Sequence, residues 1–415
     1  MKKISRILLL TAVISITVVS CDLDRFPYNS IEQSQSFKTM KDAATHRNGL
    51  YASFRSRIYG IYMYSTDVQA DILNATLDYG NRNGFPHRWT EFLAGDYTIR
   101  DTWRGYYSAL ADVNNLIENL GTISTADAAE AATLDNYIGE AYFLRAFYYH
   151  MLVKRWAKDY EPATAATDPG VPLVTSFDVT LRPSRSTVEQ VYQQIVADLT
   201  EAEAKITTAG AASSKSITAD CVTALQARVY LDMHNWSADI TAANSLKAAY
   251  PLITDAAAYK NMWGSDVPGS EVILQLHAAQ PSELGPANVI YLGYNSGLTA
   301  PYQYVPDFVP TQPVVDLYLD ADIRKGAYIE QKDIRIQGGT YDDIWLINKY
   351  PGNPALFTAA TTNYQHKPIV FRVAEMYLIS AEAGAQTPAT EAAALATLNE
   401  LRVARGLTAL VGLTG

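Results

Sequence analysis

Gly139-Glu140-Ala141-Tyr142-Phe143-Leu144-Arg145-Ala146, running on through Tyr149 to Leu152-Val153 and Trp156, is the stretch that settles the kind of fold. Small residues alternate with aromatic ones, no proline intervenes, and the helical pattern extends over 126–156. Small side chains let helices approach closely, and the aromatic rings fill the interface that remains. Arg145 stands in the middle of this apolar run, where a guanidinium calls for a carboxylate or a helix-end carbonyl.

The same arrangement recurs downstream. Thr218–Met233 places Val222, Leu225, Val229 and Met233 on one face, with Ala219, Ala224 and Ala227 allowing close approach. Ala141-x-x-x-Arg145 and Ala224-x-x-x-Arg228 are each followed by aromatic residues and then a Trp, Trp156 and Trp236. Trp103, Trp156 and Trp236 are expected in the core, and Glu375 and Glu382 are candidate partners for the two arginines. Thr187–Ile206 carries a continuous apolar stripe, opened by a capping box assigned to Ser186 and Glu189. Thr39 to Asp42 opens another helix, running to about Arg57. Further helical patterns cover 102–120, 238–249, 369–385 and 391–405. Paired helices with small residues at their crossings resemble tetratricopeptide-type hairpins, although no fixed period of about 34 residues is present.

Two regions lack the helical period. Residues 58–100 scatter aromatic residues among Gly60, Gly80, Gly84, Pro86 and Gly95, and 251–365 is rich in Gly and Pro. Glu271–Leu276 alternates like a strand. The expected class is therefore mainly α: helical hairpins with long loop-rich insertions and a few short strands.

Composition narrows the function. Of 415 residues, 48% are hydrophobic and 18% charged, which is globular composition. The formal charge is −10 with no basic block, which argues against binding nucleic-acid phosphates. There are 28 Tyr against 11 Phe, so the aromatic surface favours rings with a polar tip, suited to wet binding faces.

Met1-Lys2-Lys3-Ile4-Ser5-Arg6 and the apolar run Ile7–Val19 form a signal peptide over residues 1–20. Cys21 follows Ser20 at the end of that run, a pattern that resembles a bacterial lipobox, with Cys21 as the lipid-modified anchor. Residues 21–36 are polar and read as a tether. With Cys21 acylated, Cys221 has no partner; its apolar helical context makes it a small core residue.

Catalytic and metal motifs are missing. No His is followed by Glu, so there is no His-Glu-x-x-His, and there is no Cys-x-x-Cys, Gly-x-Ser-x-Gly, Gly-x-Gly-x-x-Gly or Gly-Lys. No cofactor and no metal site is expected. Asp320-x-Asp322-x-Arg324 begins like a calcium loop, but Lys325 and Gln331 occupy the places of its glycine and bidentate glutamate, so it reads as a turn. The aromatic loops contain Asp71, Asp78, Glu91, Asp96, Asp307 and Asp316, and a glycosidase needs only two carboxylates at a set separation.

Several segments, in this order, together resemble the SusD/RagB family of surface lipoproteins. They include Asn48-Gly49-Leu50-Tyr51, Trp103-x-x-Tyr106-Tyr107, the Gly139–Trp156 block, Val171-Pro172-Leu173-Val174, Ala224-Leu225-x-Ala227-Arg228, Phe371-Arg372-x-Ala374-Glu375-Met376-Tyr377-Leu378 and Leu398-Asn399-x-Leu401-Arg402. The resemblance implies a SusD-like helical region over 37–250 and a C-terminal SusD/RagB region over 251–415. Family members continue past the Leu-Asn-x-x-Arg helix, so this chain is expected to lack a closing element, leaving apolar surface on its last two helices.

The resemblance also implies a function. Such proteins sit at the cell surface on the outer membrane, capture nutrients, most often glycans, and pass them to a SusC-like TonB-dependent transporter; peptide capture, as in RagB, is the alternative. A surface hydrolase and a pure scaffold are further readings. Sugar rings need a flat aromatic for their C–H faces and polar side chains for their hydroxyl edges. Asp71, Asn74, Tyr79, Arg88 and Trp89 supply this mix in one loop; Tyr291, Tyr294, Asn295, Tyr302 and Tyr304 supply it in the other. Both loops are expected on one face, with Trp89 the foremost candidate.

Overall fold

The computed structural model describes residues 36–412, apart from 81–83, 91–92, 179, 286–288, 360–361 and 363. The leader, Cys21 and Glu91 lie outside the described residues.

Helix α1 (Met40–Ser56) starts at the expected box: Thr39 accepts from the Asp42 amide, and the Asp42 carboxylate accepts from the Thr39 amide. It is followed by α2 (Ile61–Asp67), α3 (Tyr97–Leu120) and α4 (Ala128–Trp156), the last two capped by Asp96 and Asp127. Then come α5 (Val188–Lys205), α6 (Ala219–Asp232) and α7 (Trp236–Lys247). The box at α5 belongs to Thr187 and Gln190, one residue later than the Ser186 and Glu189 expected. Ser186 is held in extended backbone pairing with Gly170 and Val171, so the helix cannot begin until that pairing ends.

From α3 to α7 each helix packs on the next. The chain then leaves the stack for more than a hundred residues and returns. Helix α8 (Ala256–Gly264) lies inside this excursion; α9 (Val373–Gly384) rejoins the stack against α7, and α10 (Glu391–Ala404) packs on α9. A single apolar core runs from Phe37 through α1 and α3–α7 to Phe371, Met376 and Leu401, with Cys221 fully buried in it.

Ion pairs fix the crossings. Arg145 forms a two-pronged pair with Asp198 of α5 (2.6 and 2.9 Å), so its partner is Asp198 rather than a glutamate of α9. Arg228 pairs with Glu375 as expected, at 2.5 and 2.7 Å, whereas Glu382 is exposed. Trp103 and Trp156, partly buried, pack against the core and edge-to-face on each other at 5.3 Å. Trp236 differs: it is half-buried at the start of α7 and stacks on His234.

Strands β1 (Leu73–Ala75), β2 (Val272–Gln275), β3 (Phe308–Pro310), β4 (Ile329–Ile336), β5 (Gly339–Ile347) and β6 (Ile369–Arg372) form three antiparallel pairs, β1–β3, β2–β6 and β4–β5. All four residues of β2 are buried, so the apparent alternation does not mark a half-solvated strand. The last helix is fastened near its end: Arg405, 2% exposed, donates to Glu271 and to the Ile253 carbonyl, both at 2.7 Å. Leu378 on α9 and Val403 on α10 are 50% and 59% exposed. Among the described residues no helix is long and apolar enough to cross a membrane.

Candidate functional site

The aromatic loops are drawn together by backbone pairing. In β1–β3, Leu73, Asn74 and Ala75 face Pro310, Val309 and Phe308. The Thr76 amide donates to the Asp307 carbonyl (2.9 Å), and its hydroxyl to the Pro306 carbonyl (2.7 Å). The β4–β5 hairpin joins both loops. Its tip residue Gln337 donates through its amide and side chain to the Asp78 carboxylate (2.8 and 2.9 Å), and the Arg335 amide donates to the Tyr304 carbonyl (2.9 Å). Gly293 permits a close backbone approach: at φ +54, any β-carbon there would collide with the Val305 carbonyl.

A cleft of about 430 Å³ opens beside this junction. Tyr294 and Tyr304 form one wall, their rings 5.4 Å apart and edge-to-face. Phe357 and Tyr364 line it too, from a loop anchored by the buried His366. His366 Nε2 accepts from the Gly352 amide (2.7 Å), so its other nitrogen is the one facing Asp266 (3.0 Å) as donor. The Tyr364 hydroxyl accepts from the Tyr294 amide. Lys332 lies 5.0 Å over the Tyr304 ring and 3.2 Å from Glu330; Lys260 and the buried Asn348 complete the polar lining. Lys260 and Glu330 also border a second hollow of about 620 Å³, lined by Trp345. Burial holds the Tyr304 phenol above its ordinary value, so its hydroxyl stays protonated and able to donate.

The expected residues divide. Tyr294 and Tyr304 line the cleft, whereas Tyr302 does not and donates to Asp342 at 2.6 Å. Tyr79 packs on Phe308, and its hydroxyl accepts from Arg88 (2.7 Å). Trp89 is 65% exposed at φ 54, with its indole N–H donating to the Gln69 carbonyl (2.7 Å); it does not line the cleft. Asp71 and Asn74 are exposed, and Asn295 is exposed with its carbonyl oxygen accepting from the Gly297 amide. Tyr291 is a core residue here, 3% exposed and donating to Asp67, which leaves no ring face for a ligand. Lys332, Glu330, Asn348, Phe357 and Tyr364 were not among the sequence candidates. Their signal was the Lys/Glu alternation in β4 and the aromatic spacing of the 350–364 loop, but only pairing with Tyr304 makes them neighbours.

Three of the carboxylates flagged in the loops have structural duties. Asp96 caps α3, Asp78 holds the hairpin tip, and Asp316 accepts from Gln312. Asp322 of the calcium-like stretch is buried and gripped by Arg324 at 2.6 Å, while exposed Asp320 pairs with Lys325.

A stack of helical hairpins with an aromatic cleft on its inserted loops defines a mainly helical fold with long loop-rich excursions. Residues 23–231 match a family described as "Starch-binding associating with outer membrane", and residues 287–411 match the SusD family. The chain belongs to the SusD family. It is 27% identical to SusD-like protein P38 of Formosa agariphila, over 94% of this chain and 79% of that protein. A SusD superfamily protein from Bacteroides thetaiotaomicron has the same fold, with a TM-score of 0.75 and 25% identity over 89% of this chain and 81% of its own. A laminarin-binding SusD-like protein superposes with a TM-score of 0.66 at 19% identity, over 90% of this chain and 86% of its own.

Proposed function

We propose that this chain is a non-catalytic glycan receptor, held at the outer-membrane surface through Cys21, that takes up oligo- or polysaccharide at the tyrosine cleft and delivers it to a SusC-like TonB-dependent transporter. The observation that carries the reading is the Tyr294–Tyr304 wall with Lys332, Glu330 and Asn348 at its edge. Aromatic faces receive the C–H surface of a sugar ring, and the edge groups satisfy its hydroxyls, which would otherwise be desolvated without partners. The family description and the laminarin-binding relative support a glycan over a peptide.

The test is calorimetric titration of the mature chain with a panel of soluble polysaccharides and casein peptides. Tyr304→Ala is expected to weaken binding of the responding glycan by about tenfold, a loss of order 1–2 kcal/mol, with the fold retained. Trp89→Ala, outside the cleft, is expected to leave that affinity unchanged. Saturable binding of peptides alone would replace the glycan reading. Unchanged affinity in Tyr304→Ala would remove the tyrosine cleft from the site. Cys21→Ser is expected to move the protein out of the membrane fraction.

A further inference from the structure

A second concavity, of about 510 Å³, lies between α1, residues 215–216 ahead of α6, and residues 277–283 after β2. It shares no lining residue with the tyrosine cleft. Its charges do not cancel. Arg47 is matched by the buried Glu140 at 2.5 Å, and Arg55 by Glu283 at 2.7 Å. Lys215 lines the pocket, exposed and with no carboxylate partner among the described residues; half-buried Lys367, outside the lining, has none either. Desolvation first, then the Lys215 and Lys367 ammonium groups and Arg55, against Glu283, hold the His277 imidazole below the usual histidine value. Arg55 also donates to the His277 carbonyl (2.9 Å), yet its Nε is buried with no partner among the described residues. A surplus of cations gathered in a hollow, on a chain whose formal charge is −10, favours an anion at that place.

The rest of the lining indicates what carries the anion. Asn48, Ser216 and Glu283 offer donors and acceptors, and Ala279 alone lacks a polar side-chain atom. A ligand polar along its whole length fits such walls, and a peptide with apolar side chains does not. We propose that this pocket binds the carboxylate or sulfate of an acidic saccharide unit, Lys215 and His277 meeting the oxyanion and Asn48 and Ser216 its hydroxyls.

The experiment uses the mature chain and four probes: D-glucuronate, D-glucose, sodium sulfate and trialanine. Binding is read by calorimetry, and the His277 ring resonance is followed by NMR across pH. Glucuronate, sulfate or both are expected to bind saturably and raise the His277 pKa, because an adjacent anion favours the imidazolium. Glucose is expected to leave that resonance unmoved. Lys215→Gln, at an exposed position, is expected to weaken the anion about tenfold, the loss of one charge-assisted hydrogen bond. Tyr304→Ala is expected to leave it unchanged, which separates this pocket from the tyrosine cleft. Glucose shifting His277 as glucuronate does, both anions failing to bind, or Lys215→Gln having no effect would each overturn the proposal. Trialanine binding more tightly than glucuronate would overturn the saccharide assignment.

Discussion

Glu271 has no solvent exposure and lies between two guanidinium groups, Arg372 at 2.6 Å and Arg405 at 2.7 Å. Buried charges of this kind are costly to orphan. Glu271→Gln is expected to destabilise the chain by about 3–5 kcal/mol, measured as a lower urea midpoint at unchanged slope. Asp239 is the opposite case. It is fully buried, and neither carboxylate oxygen has a partner among the described residues. Desolvation, with Glu382 and Asp232 adding repulsion, pushes its pKa from 3.8 up to about 8. Between those values the folded chain holds a proton that the unfolded chain releases. The contribution is therefore full below about pH 4 and is lost as pH rises through about 8, with a slope of up to about 1.4 kcal/mol per pH unit. Asp239→Asn is expected to be the more stable protein at pH 8, its curve converging with the parent's near pH 4; parallel curves would sink the assignment. At this scale the sequence made some partners legible and hid others. That Arg145 and Arg228 need carboxylates follows from charge in an apolar helix, and Glu375 was found. Asp198 was not, because which carboxylate faces Arg145 depends on how α5 crosses α4.

Elements were most legible where their signals are local. The Thr39–Asp42 box works within four residues and is found as read. At α5, two overlapping box patterns stood one residue apart, and backbone pairing at Ser186 chose between them. The β4–β5 hairpin is the chief element read as loop. Its Gln337-Gly338-Gly339 turn is a hairpin signal, with positive φ at Gln337 and Gly338, but a register shift between Lys332 and Ile334 breaks the alternation that would have announced the strands. That hairpin supplies Lys332 and Glu330 to the cleft, so missing it hid the charged pair of the lining. Asp78 clasps its tip. Asp78→Ala is expected to speed amide exchange at Gln337 and to cost about 1 kcal/mol, without changing the helical circular dichroism. Exchange at Gln337 equal to the parent's would mean the clasp does not hold the tip.

Across the whole molecule, the helical class followed from composition and period, but the continuity of the core did not. Nothing in the spacing of 251–365 says that the chain returns to the same stack. It does so because α7 presents Ala243 and Leu246, and α6 presents Val222, Leu225 and Val229, to a core that α9 completes with Val373, Met376 and Ile379. Arg228 of α6 is pinned to Glu375 of α9 at the same seam. Residues 37–250 therefore share their interior with the closing helices, and the long excursion bearing the tyrosine cleft is held at both ends by one stack. A chain ending at Tyr250 removes that cover and leaves the α6–α7 face to water, along with the unpaired Arg228. The expected result is a fragment with near-native far-ultraviolet circular dichroism that binds ANS and melts without a cooperative transition, whereas the mature chain melts cooperatively and does not bind the dye. A fragment that melts as sharply as the mature chain would show that the first helices close their own core, and that α9 rests on it rather than completing it.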